Sequence, residues 1–97
     1  MGWAANHIFN LKAGRSVTFK YVGNHMFPIV SNGELVEVNP VGQTKLKKGM
    51  VVLVKMNGLE LLHKITDIND NLVEISTNSG HVNGWTDIEN VYGIAKK

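Results

Sequence analysis

The feature that most constrains this chain is its period-two alternation of apolar and polar residues, cut at short intervals by glycine. Val17-Thr18-Phe19-Lys20-Tyr21 sets Val17, Phe19 and Tyr21 on one face and polar groups on the other, and Leu35-Val36-Glu37-Val38 repeats the pattern. Alternation of this kind describes half-buried strands. Asn39-Pro40 ends the second run, because proline has no N–H to give a ladder. Met50-Val51-Val52-Leu53-Val54 is continuous and rich in β-branched residues, as befits a strand covered on both faces. Leu59 to Ile68 and Leu72 to Thr77 flank the polar Asn69-Asp70-Asn71 and read as a hairpin, and Val91-Tyr92-Gly93-Ile94-Ala95 makes a last short strand.

Helical periodicity is nearly absent. A turn is expected near Phe27-Pro28 and another at Thr86-Asp87-Ile88-Glu89, with Thr86 as N-cap and Glu89 three residues on. Gly33, Gly42, Gly49, Gly58, Gly80 and Gly84 fall between the strands. The expectation is a single all-β domain over 1–97, a small coiled barrel or rolled antiparallel sheet with little helix.

Size and composition narrow the functional classes. A chain of 97 residues makes one domain with a modest core. It has no cysteine, so disulfides and thiolate metal sites are excluded. No apolar run approaches the roughly 20 residues that span a bilayer. The opening Met1-Gly2-Trp3-Ala4-Ala5-Asn6 has neither the charged start and apolar stretch of a signal peptide nor the Ser or Thr of a myristoylation motif. These readings predict a cytoplasmic protein. The net charge of +2 says little about partners; Lys45, Lys47 and Lys48 form the one basic cluster, and Lys96 and Lys97 end the sequence. No aromatic residue is interleaved with the 45–48 cluster, so nucleic acid is not the expected partner.

The chemistry-bearing residues are histidines. Gly23-Asn24-His25-Met26-Phe27-Pro28 resembles the G-x-S-M-x-P nucleophile motif of the serine peptidase clan that holds LexA-type repressor domains and signal peptidases. His25 stands at the serine. Gly33-Glu34-Leu35-Val36 is similar to the clan's following G-D-x-V strand, and Gly49-Met50-Val51-Val52 to its second G-D-[IV]-V segment. His63-Lys64-Ile65, 38 residues after His25, resembles the H-R-[IV] motif that carries the general base in the endoplasmic-reticulum-type branch. Ser79-Gly80-His81-Val82-Asn83 and Asp87 resemble that branch's K-G-D-x-N segment and second aspartate. The likeness covers about residues 17 to 95, and residues 1–16 are unmatched.

The resemblance implies a LexA or signal-peptidase type of β-domain. His63 and Asp87 would hold the positions of base and acid and His25 that of the nucleophile, with the His25 and His63 imidazoles within about 7 Å across a shared cleft. It implies no ordinary peptidase chemistry, because imidazole is no substitute for a serine hydroxyl and losing a triad nucleophile costs on the order of 10⁶ in turnover. The expectation is a degenerate, non-enzymatic module, of the kind a phage or accessory protein would use, that binds a protein partner or forms a homodimer. The alternative is a hydrolase. It would either retain weak peptidase action or use zinc or another divalent ion held by His25, His63 and His81, since three imidazoles and an open position can activate water. Lys64, next to His63 on a strand, should point to the opposite face. His7 is expected at the surface, and Trp3 and Trp85 are expected to pack against the sheet.

Overall fold

A computed structural model describes residues 2–96. Seven strands form one antiparallel sheet: β1 (Val17–Lys20), β2 (Leu35–Pro40), β3 (Val51–Met56), β4 (Leu59–Asn69), β5 (Leu72–Ser76), β6 (Val82–Asp87) and β7 (Val91–Ala95). Their order across the sheet is β1-β2-β7-β3-β4-β5-β6, so the last strand inserts between the second and third. The all-β expectation holds. Of the two shapes expected, the sheet is curled and not closed into a barrel. Among the described residues no helix is long and apolar enough to cross a membrane.

Turn chemistry fixes the hairpins. Asn57 and Gly58 connect β3 to β4 with φ of 52° and 77°. Two positive φ values make the primed turn whose twist matches that of paired strands, and Asn-Gly is the pair that adopts it with least strain. Met56 thus opposes Leu59, and the register runs unbroken to Val51 opposite Lys64. The β4–β5 hairpin turns at Asp70-Asn71, with Asn69 opposite Leu72.

The continuous apolar run becomes the central strand, as its composition predicts. Val51, Val52, Leu53 and Val54 are all buried. Val51 and Leu53 join a cluster with Phe19, Tyr21, Met26, Val30, Val36, Val38 and Leu62. Val52, Val54 and Met56 join a second with Ile65, Val73, Ile75 and Val91. Alternating side chains of one strand therefore feed two cores, one on each side of the sheet.

Two expectations needed correction. Residues 5–12 form a helix, α1 (Ala5–Lys12), in the segment that matched nothing. Ala4, Ile8 and Leu11 lie at i, i+4 and i+7, and all three are buried in the first core. At the other end of the chain, Thr86 is not a cap. It lies in β6, and Asp87 caps the short 3-10 turn Ile88–Asn90 by accepting from the Glu89 N–H at 2.9 Å. The tryptophans, expected to pack against the sheet, keep about half of their surface in solvent, Trp3 at 55% and Trp85 at 42% exposure.

α1 is held at both ends. Ala4 N–H donates to the buried Glu60 carboxylate at 2.7 Å, and Trp3 Nε1–H donates to the Glu60 carbonyl at 2.9 Å. Further along, the helix lies against Gly93 of β7. A Cβ there would lie 3.0 Å from Leu11 Cδ1 and 2.9 Å from Asn39 O, so the approach of helix and strands needs a residue without one.

Candidate functional site

Three segments meet at one end of the curled sheet: the turn after β1, the middle of β4 and the loop before β6. After β1, Tyr21 continues the ladder, donating its N–H to Glu34 O at 2.8 Å and accepting from Gly33 N–H at 2.7 Å. The chain then turns through 24–30. Met26 and Val30 are buried within it, and Phe27–Pro28 is a cis peptide bond. Burial of Met26 anchors the turn, and His25 beside it is left exposed.

His25 lies over His63. Their ring centroids are 5.6 Å apart with the planes inclined by 35°, inside the separation the sequence resemblance implies. His63 is only 4% exposed. Its Nδ1 lies 2.8 Å from the carbonyl oxygen of Leu62. A carbonyl only accepts, so Nδ1 carries the proton and the neutral ring keeps its lone pair on Nε2. Burial pushes the His63 pKa below its ordinary value. The Leu62 hydrogen bond opposes the shift, and the positive potentials of His25 and His81 add to it.

His81 therefore belongs to the same electrostatic neighbourhood, although it is exposed on its loop. Among the described residues no group of three or more His, Asp or Glu is arranged to hold a metal ion. Asp87 stands apart. Val82 opposes Ser76 at the near end of β6, and Asp87 opposes Leu72 at the far end, beside the β4–β5 turn. Five residues of strand separate Asp87 from Val82, roughly 16 Å. Its carboxylate caps the 3-10 turn there.

Asn78 ties the three segments together, and no motif or spacing points to it. Its backbone N–H donates to the His25 carbonyl at 2.8 Å, and its Nδ2 donates to the Phe27 carbonyl at 3.0 Å. Its Oδ1 accepts from Lys64 Nζ at 3.3 Å, so the ammonium next to the buried imidazole is used structurally. The 77–81 loop closes on itself through Thr77 N–H to His81 O at 2.9 Å and His81 N–H to Thr77 Oγ1 at 3.0 Å.

Chemically, the cluster offers a neutral buried imidazole with a fixed tautomer, which is the form a general base needs. The ring facing it is another imidazole. Beside it, Tyr21 is buried with its pKa raised by desolvation, against a lowering backbone hydrogen bond from His25. A groove of about 510 Å³ adjoins these residues, lined by Trp3, His7, Phe19, Lys20, Tyr21 and Val22. His7, expected at the surface, is half-buried and stacks on Phe19 at 4.7 Å, and Trp3 meets Phe19 edge-on at 5.3 Å. No family model matches this chain, and neither does any curated protein.

Proposed function

We propose that this protein is a non-hydrolytic, peptidase-like β-module of the LexA and signal-peptidase type, and that it binds a second copy of itself or a partner protein through the surface around His25. One observation carries the reading. The ring that packs on the base-like His63 is the imidazole of His25, at 5.6 Å, where the resemblance would place a hydroxyl. A base without a nucleophile does not start acyl transfer. A hydrolase reading would need a hydroxyl on His63, or a third ligand for an ion held by His25 and His63.

The binding half of the reading rests on exposed apolar side chains that flank His25. Val22 is 80% exposed and lines the groove with the half-exposed Trp3, and Phe27, 61% exposed, follows His25 in the turn. Large exposed apolar side chains grouped near a groove are the kind of surface that takes a partner. The same reading makes the chain a small accessory protein, of the kind phages encode, working in the cytoplasm.

Sedimentation equilibrium tests the self-association. The expected result is a concentration-dependent dimer that the double variant Val22→Asp, Phe27→Asp weakens at least tenfold, since each substitution puts a charge into an apolar contact. A dimer unaffected by both substitutions would contradict the assigned surface. A chain monomeric at every concentration would restrict the reading to a partner protein.

A further inference from the structure

On another part of the molecule, a trough runs between the ends of β2 and β7 and the loop that leads into β3. It shows as two adjoining cavities of about 430 and 620 Å³ that share Met50, Ile94 and Ala95 as their floor. Ile29 and Val51 extend the apolar lining of the larger one. The rim is cationic. Lys47 and Lys48 border one end, and Lys96 borders the other. Among the described residues no carboxylate lines either cavity. Lys48 is engaged by Asp67 at 3.4 Å.

An apolar floor of this size with a few charged groups at its edge is the composition of a small-molecule site. The charge selects the ligand, since Lys47 and Lys96 supply ammonium donors, while Lys48 is shared with Asp67 outside the lining. We propose that this trough binds a linear anionic amphiphile, a free carboxylate on an apolar chain, with the chain along Met50 and Ile94 and the carboxylate at Lys47 or Lys96. A purely apolar ligand would leave the lysines unused. A cationic one would be repelled. The inference is independent of the histidine cluster and of the fate of the reading above.

Decanoate is the probe. Titrated into the isotope-labelled full chain below its micelle concentration, it should shift the amide signals of Thr44, Lys47, Met50, Ile94 and Lys96 in a saturable way with one equivalent bound. Octanoate should bind about tenfold more weakly, because two buried methylenes are lost. Decyltrimethylammonium should not compete. Lys47→Glu with Lys96→Glu should weaken decanoate about tenfold while leaving the remaining spectrum in place, since both side chains are exposed and make no packing contact that the core depends on. Overturning results would be shifts centred on Trp3 and Tyr21, unsaturable binding, equal affinity for the cationic amphiphile, or full affinity in the double variant.

Discussion

The main-chain N–H of Asn78 donates to the carbonyl oxygen of His25 at 2.8 Å, and this bond joins the loop before β6 to the turn after β1. Its side chain adds the bonds to Phe27 and from Lys64. Three segments far apart in sequence are thereby locked around His63, and the clamp decides how His25 sits on the buried ring.

Asn78→Ala keeps the main-chain bond and removes the other two. Each is partly solvated, so a loss of about 1 kcal/mol in urea unfolding is expected, with the slope unchanged. Amide exchange in residues 24–29 should quicken more than in β3. Equal protection of that turn in both proteins would show that Asn78 does not hold it.

The buried imidazole makes stability depend on pH. The His63 pKa in the folded protein is below its ordinary value, chiefly through burial. Between the folded pKa and the unfolded value near 6.5 the unfolded chain binds the extra proton, so stability rises with pH there. The contribution is complete above about pH 6.5 and is lost as pH falls through the folded pKa. Urea midpoints at descending pH should show the decline, and His63→Asn, which can still donate to the Leu62 carbonyl, should reduce it. An undiminished slope in that variant would assign the effect to other groups.

Glu60 anchors α1 from β4, with its carboxylate buried against Ala4 N–H. Glu60→Ala leaves that amide without its acceptor, at a cost of about 1–3 kcal/mol. Exchange protection over residues 5–12 should fall, while that of β3 should follow only the global loss. A helix as protected as before would show that the Ile8 and Leu11 contacts alone hold it.

At Gly93 a methyl group would press on Val38, Asn39 and Leu11 together, two of them on the strand paired with β7. Gly93→Ala is expected to cost about 1–3 kcal/mol through overpacking, read as a lower melting temperature. An unchanged melting temperature would mean that the helix can move aside freely.

The sequence was legible where burial follows a simple period. The 51–54 run, the alternation in β1 and β2 and the β4–β5 hairpin could all be placed. β6 could not, because Asn83-Gly84 interrupts its pattern and Val82 and Trp85 are exposed on an edge strand. α1 had a usable signal in the spacing of Ala4, Ile8 and Leu11, but three apolar residues over two turns are easily passed over. At the site, the approach of His25 to His63 came from motif resemblance, since no local spacing links residues 38 apart. Asp87 lies at the far end of β6, and a residue's position in a motif says nothing of where its strand ends. Asn78 escaped notice because its main contact is made by its backbone, which leaves no mark on residue type.

The central claim is that a base-like histidine survives here without a nucleophile to serve. Intact-mass spectrometry of the untagged protein after incubation with a fluorophosphonate probe tests it most directly, with and without added zinc. The account predicts an unchanged mass in every sample and no self-cleavage on prolonged standing. One probe equivalent added to the chain, or self-cleavage, either of them abolished by His63→Ala, would contradict it.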